Sequence, residues 1–207
     1  MRTEKLKTAG LPGHRLGSID NKTLYLADTK QNLNGGVIIV ETPPPLANIK
    51  IENENGFVIE YDLFKDNALV DPDGTKHEQC EGILWPKQIE DHIGWVLCIE
   101  TKYTSNATTA RNPRNQYPQK MVSQLSSTVF WFRNQGYLDN RRVYCVASFP
   151  TVPEFESMSA LFRLPQTKFF VNHERLSTME IAEKYKILIR YATKICIKTD
   201  KRILFTS

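Results

Sequence analysis

The chain has 207 residues, of which 41% are hydrophobic and 24% are charged, fractions that are typical of soluble globular proteins. This length suits one domain with a sizeable core, and the composition argues against a mainly disordered chain. The 27 Lys and Arg residues exceed the 23 Asp and Glu residues by four, and this mild basic excess is compatible with a nucleic-acid partner without requiring one.

The first 20 residues contain no apolar run of the length that a signal peptide or a membrane span requires. We therefore predict a cytoplasmic protein with no membrane association, in which residues 1–20 form a flexible arm and residues 21–207 form one domain. The four cysteines lack Cys-x-x-Cys spacing and the four histidines lack metal-ligand spacing. Buried reduced thiols are expected, and a zinc site is not.

Strand patterns dominate the first half of the chain. Residues 37–40 are an apolar run between glycines and prolines, and residues 56–63 are a second strand candidate. The segment 71–74 has strong turn chemistry, and strands are predicted to follow at 77–85 and 94–103. Consecutive strands with short connections pair antiparallel, so the last three strands predict a meander.

The hydrophobic period then changes from two residues to about 3.6. Apolar side chains recur at the spacing of one helix face, at Met121, Leu125, Val129 and Phe132. This pattern predicts a helix over 117–135, which is followed by an apolar strand at 142–149.

The last part of the chain predicts a strand at 168–172 and a helix start at Ser177, where the Ser-x-x-Glu spacing is that of a capping box. Residues 187–197 favour a strand, with a turn at 199–202 leading into the apolar residues 203–205. Together the elements predict an α/β domain. Its mixed central sheet is built from an antiparallel meander followed by a helix and a further strand, and a C-terminal β-hairpin closes the chain.

The strand at 94–103 carries the pattern that is most informative about chemistry. Glu100 and Lys102 are two positions apart, so their side chains project from the same face. A carboxylate there can ligate a hard cation, and the neighbouring amine can stabilise negative charge that develops on a phosphate. By itself, Glu-x-Lys is common and is also typical of a solvated strand face on an unrelated α/β domain.

A second acid strengthens the pattern. Glu81 lies 19 positions before Glu100, on the preceding predicted strand, and pairing of the two strands would bring both carboxylates near Lys102. Two carboxylates placed together repel each other, and a divalent cation bound between them relieves the repulsion.

This order of a strand acid, a strand with Glu-x-Lys, a helix and an apolar strand resembles the PD-(D/E)xK nuclease superfamily, also called restriction-endonuclease-like. The resemblance covers about residues 56–150. It implies that Glu81 and Glu100 are catalytic ligands of Mg²⁺ or Mn²⁺ and that Lys102 is the catalytic lysine. It also implies a helper role for Gln124, which belongs to the polar row Lys120, Gln124 and Thr128 on the predicted helix.

The first acid stays open between three residues. Glu81 is preferred because its strand position gives it a route to the metal, although Asp is more usual than Glu at this point in the superfamily. Glu78 and Asp73 are the alternatives, and Asp73 lies in the predicted turn at 71–74. An upstream acid sometimes assists in the superfamily, and Glu60 or Asp62 could have that role.

Basic residues near the start of the predicted helix could contact phosphates, namely Arg111, Arg114 and Lys120. The first hypothesis is therefore a Mg²⁺-dependent nuclease that hydrolyses phosphodiester bonds, with DNA as its partner. The alternative is a catalytically inactive restriction-endonuclease-like domain that serves as a nucleic-acid-binding or protein-interaction module. The protein could form a homodimer or belong to a larger complex.

Overall fold

The computed structural model describes residues 1–29, 36–44, 48–87, 94–102, 108, 112–149 and 162–206. The strands in this part are β1 His14–Ile19, β2 Thr23–Asp28, β3 Val37–Val40, β4 Asn48–Asn53, β5 Ile59–Phe64, β6 Gly82–Pro86, β7 Leu97–Thr101, β8 Val143–Ser148, β9 Phe169–Val171, β10 Glu174–Leu176, β11 Ile187–Tyr191, β12 Lys194–Ile197 and β13 Ile203–Thr206. The helices are α1 Thr3–Ala9, α2 Gln119–Asn134 and α3 Thr178–Tyr185. Within these ranges, no helix has both the length and the apolar character needed to cross a membrane.

A mixed six-stranded sheet has the order β1-β5-β6-β7-β8-β11. The strands β1, β5, β6 and β7 pair antiparallel, whereas β8 is parallel to both β7 and β11. Helix α2 connects β7 to β8, because neighbouring parallel strands need a crossover connection. The predicted α/β class, the meander, the helix and the following strand are confirmed.

The predicted mixed central sheet is present, and a second sheet, which the sequence did not predict, has the order β13-β12-β4-β2-β3. The stretch 187–197, predicted as one strand, is divided between the sheets. Strand β11 pairs with β8 in the first sheet, and β12 pairs with β4 in the second. The predicted C-terminal hairpin is confirmed as the antiparallel pair of β12 and β13.

Both faces of the six-stranded sheet are covered where β7 runs. On one face Cys98 packs with Met121 and Leu125 of α2. On the other face Leu97 and Ile99 pack with side chains of the five-stranded sheet. A strand covered on both faces is buried along its whole length, so a charged side chain on β7 enters the interior of the protein.

Residues 1–20 are not a flexible arm, and that prediction is wrong. Leu6 of α1 is only 1% exposed, and β1 forms a full antiparallel ladder with β5. The indole N–H of Trp85 donates to Thr3 Oγ1 at 3.0 Å and to Glu60 Oε2 at 2.9 Å, and Lys7 Nζ donates to Glu60 Oε1 at 2.9 Å. The short helix is therefore held on the sheet by packing and by hydrogen bonds.

A second acid of β5 holds the start of β1. Nδ1 of His14 lies 2.6 Å from Oδ2 of Asp62, and the Arg15 backbone N–H donates to Oδ1 at 3.1 Å. Burial raises the pKa of Asp62, although the contact with His14 opposes that rise. Glu60 and Asp62, which the sequence suggested as upstream acids, thus both anchor the N-terminal segment.

The predicted strand at 168–172 is confirmed as β9, which forms a hairpin with β10. The capping box at the start of α3 is also confirmed. The Ser177 backbone N–H donates to Glu180 Oε2 at 2.6 Å, and the Glu180 N–H donates to Ser177 Oγ at 3.3 Å. The carboxylate of Glu180 also pairs with Lys168.

Leu6→Ala should lower the free energy of unfolding by about 3 kcal/mol, because it removes a fully buried side chain. The control is Glu4→Ala on the same helix, whose side chain is 87% exposed, and it should change stability by less than about 0.5 kcal/mol. Urea denaturation followed by tryptophan fluorescence measures both. Equal effects of the two substitutions would instead support the original prediction that residues 1–20 form a flexible arm.

Glu180→Gln should lower stability near neutral pH and should have a smaller effect in acid. The hydrogen bond from Lys168, together with those from Ser177, lowers the pKa of Glu180 to about 2. This stabilisation is present above the carboxyl group's ordinary pKa of 4.5 and is lost as the pH falls toward 2. Urea denaturation at neutral pH, and again at a pH between 2 and 4.5, measures the difference in the free energy of unfolding between the variant and the unchanged protein. Glu183→Gln is the control on the same helix. A difference that stays constant across this range would contradict the prediction.

Candidate active site

Glu100 and Lys102 lie at the end of β7 on the face that α2 covers. Glu100 is followed by Thr101, the last residue of the strand, and the Lys102 backbone N–H then donates to the Ser148 carbonyl of β8 at 2.9 Å. The Glu100 side chain is fully buried, whereas the Lys102 side chain is 17% exposed, and Lys102 Nζ contacts Glu100 Oε1 directly. The prediction that the two side chains share one face is confirmed.

Glu81 immediately precedes β6 and is brought to the same end of the sheet by strand pairing. Gly82 pairs with Ile99, and the Glu81 backbone N–H donates to the Ile99 carbonyl at 2.9 Å. The carbonyl of Glu81 accepts from the Phe64 N–H at 3.0 Å, so both neighbouring strands fix its backbone. Glu81 is buried.

The electrostatics of Lys102 connect the three residues. Burial on its own would lower the pKa of Lys102, but the negative charges of Glu100 and Glu81 outweigh burial and raise that pKa. Lys102 is therefore paired with Glu100, and the charge of Glu81 acts on the same amine. A buried carboxylate needs such compensation, because transfer of an unpaired charge from water to the protein interior is costly.

The strand predicted over 77–85 is shorter than expected, because it begins only at Gly82. Side chains of α2 hold the preceding residues instead of a sheet ladder. Gln124 Nε2 donates to the Gln79 carbonyl at 2.8 Å, and the Cys80 backbone N–H donates to Thr128 Oγ1 at 2.9 Å. Gln124 and Thr128 are thus positioning residues for the segment that leads into Glu81.

The amide oxygen of Gln124 lacks a hydrogen-bond partner among the described residues. This atom, Oε1, is buried. Buried carbonyl oxygens are usually paired with a donor. A buried water molecule could supply the missing donor to this oxygen.

The other two candidates for the first acid have different surroundings. Asp73 is exposed in the turn between Val70 and Lys76, where its Oδ1 accepts from the Thr75 N–H at 2.9 Å, and this hydrogen bond lowers the pKa of Asp73. Glu78 is exposed, and its carboxylate accepts a hydrogen bond from Ser123 of α2. Of the three acids, Glu81 is the one whose charge acts on Lys102.

An open cleft of about 560 Å³ lies beside the start of α2. Arg114 and Lys120 line it, together with Tyr117, and the Tyr117 ring centroid is 6.0 Å from Lys102 Nζ. Arg111, the third predicted phosphate-binding residue, lies outside the described residues. The exposed Phe170 of β9 also lines the cleft, and sequence patterns did not point to it because its place depends on a contact between distant segments.

Two carboxylates fit the preference of Mg²⁺, which is commonly bound by one or two protein carboxylates and keeps several water ligands. Within the described ranges, no three His, Cys, Asp or Glu side chains form a group that could hold a metal ion. Glu81 and Glu100 could therefore hold such an ion only if water or substrate supplied the remaining ligands.

No protein-family model, curated protein or solved structure matches this chain.

Thr128→Val should lower the free energy of unfolding by about 2 kcal/mol, because it leaves the buried N–H of Cys80 without an acceptor. Ser126→Ala on the same helix is the control. The Ser126 hydroxyl is buried and has no partner among the described residues, so its removal should leave stability nearly unchanged. Thermal unfolding followed by circular dichroism compares them, and an equal loss in both variants would contradict the positioning role of Thr128.

Proposed function

We propose that this chain is a Mg²⁺-dependent nuclease that hydrolyses phosphodiester bonds in DNA. One observation carries the proposal: the fully buried carboxylate of Glu100 contacts Lys102 at the end of β7, and the charge of Glu81 acts on the same amine. On a solvated strand face Glu100 would be exposed. Its burial therefore argues against a surface Glu-x-Lys pair without a function.

Glu81 and Glu100 would hold the metal ion, whose chemistry is to polarise the phosphoryl group and to lower the pKa of a bound water. Lys102 Nζ contacts Glu100 Oε1, and attraction to Glu100 and Glu81 raises the pKa of Lys102. Its role in the proposal is to stabilise the negative charge that develops on the phosphate in the transition state. Gln124 would act by positioning, since its Nε2 donates to the Gln79 carbonyl in the segment that leads into Glu81.

The surroundings of these residues support a nucleic-acid substrate. Arg114 and Lys120 line the cleft whose wall includes Tyr117, and Tyr117 lies next to Lys102. Cations along such a path can neutralise successive phosphates of a DNA backbone. The order of acid, Glu-x-Lys strand, helix and parallel strand also supports membership in the PD-(D/E)xK superfamily, which we propose together with the activity.

The test is cleavage of fluorescently labelled DNA with Mg²⁺ or Mn²⁺ and with a chelator. Glu81→Gln and Glu100→Gln should each reduce metal-dependent cleavage by about 100-fold or more, since each removes a metal-ligating charge and leaves the shape of the side chain nearly unchanged. Asp73→Asn, the matched exchange at the competing acid in the turn, should cleave like the unchanged protein. Lys102→Ala is a poor first variant, because it leaves Glu100 buried without its partner and could cost about 3 kcal/mol of stability.

Cleavage that survives in both glutamine variants would overturn the proposal. Titration calorimetry with Mn²⁺ gives a second measurement that is independent of turnover. The unchanged protein should bind the ion and Glu100→Gln should not. DNA binding with neither metal uptake nor cleavage would instead support the alternative, an inactive nucleic-acid-binding module.

A further inference from the structure

Phe170 is an aromatic side chain that the fold holds out in solvent. The six large hydrophobic side chains exposed within the described ranges include a single aromatic one, and its exposed fraction is 53%. Its neighbours Phe169 and Val171 are buried, because successive residues of β9 point to opposite faces. The strand therefore presents the Phe170 ring outward while its other face is anchored in the core.

The backbone that carries this ring is held by α2. The backbone N–H of Phe170 donates to Gln119 Oε1 at 2.8 Å, and the carbonyl of Phe170 accepts from Gln119 Nε2 at 3.0 Å. One glutamine at the first position of the helix thus binds both polar groups of the Phe170 backbone. A binding surface held in this way loses little conformational entropy when a ligand binds.

Two clefts meet at Phe170 and Ser123, and together they form a groove beside α2. The cleft of about 560 Å³ contains Arg114 and Lys120 and leads toward Tyr117. A second cleft, of about 430 Å³, continues on the other side, and both polar side chains and apolar ones such as Phe130 and Val171 line it. One acid lines each cleft: Glu78 is hydrogen-bonded to Ser123, and Asp71 Oδ2 lies 2.7 Å from His77 Nε2.

An exposed aromatic ring beside cations is the arrangement that binds single-stranded nucleic acids, in which bases stack on the ring while the cations contact the phosphates. A duplex offers no such base, because its bases are already stacked and paired. We infer that the groove beside α2 binds single-stranded DNA, with a base stacked on Phe170 and phosphates near Arg114 and Lys120. The inference rests on the proposed function and specifies the form of its substrate.

The experiment measures binding in a chelator, so that no cleavage occurs. Fluorescence anisotropy of a labelled thymidine oligonucleotide and of a duplex of equal length gives the two affinities. The unchanged protein should prefer the single strand, and Phe170→Ala should weaken single-strand binding by about tenfold with little effect on the duplex. Phe170→Trp should retain binding, and quenching of the new indole by the oligonucleotide would report stacking directly.

Leu204→Ala is the matched control, because Leu204 is an exposed hydrophobic residue, 37% accessible, on β13 of the other sheet. It should bind both DNA forms like the unchanged protein. Circular dichroism of each variant confirms that it is folded. Lys120→Gln should weaken binding of both DNA forms and reduce its dependence on salt, since this residue is assigned to phosphates.

The outcomes separate this inference from the nuclease proposal. If single-strand binding depends on Phe170 but no cleavage occurs, the inference about the groove is supported and only the nuclease proposal is contradicted. Phe170→Ala that binds single strands like the unchanged protein overturns the inference, as does a preference for the duplex or no DNA binding at all. If Phe170→Ala cleaves DNA efficiently and binds it with unchanged affinity, the inference about the groove is contradicted and the nuclease proposal stands.

Discussion

The contact between the buried carboxylate of Glu100 and the amine of Lys102 is the interaction on which the candidate site depends. Strand β7 is covered by α2 on one face and by the five-stranded sheet on the other, so an acid near its end is removed from water. Such an acid must be paired, protonated or bound to a cation. Here Lys102 pairs with it, and the negative charge of Glu81 also acts on the Lys102 amine.

Helix α2 links this electrostatic arrangement to the fold. Its apolar face packs on the sheet, and its polar residues Gln124 and Thr128 hold the segment before Glu81. Its first turn borders the basic cleft and, through Gln119, holds the backbone of Phe170. One helix therefore positions the acid, closes the core and shapes the surface that we propose for DNA. A change in how α2 packs would alter all three together.

The N-terminal segment illustrates why some sequence expectations were wrong. Its seven-residue helix is too short to be stable by itself, and its strand is stable only when paired with β5. Local composition shows neither partner, since Glu60, Trp85 and Asp62 lie more than 40 positions away along the chain. The second sheet was missed for the same reason. The division of 187–197 between two sheets is likewise decided by which neighbours are available to each half.

Local periodicity was enough to determine α2, β7, β8, the closing hairpin and the capping box at Ser177, because each is defined by residues close together in the chain. The same periodicity placed Glu100 and Lys102 on one face. The tertiary structure decided that this face is buried, that Glu81 and not Asp73 approaches it, and that Phe170 stands at the edge of the neighbouring cleft. These results depend on strand register and on helix contacts between residues that are about 20 to 50 positions apart. Side-chain periodicity identifies the apolar face of each element, but it does not identify the distant segment that packs on that face.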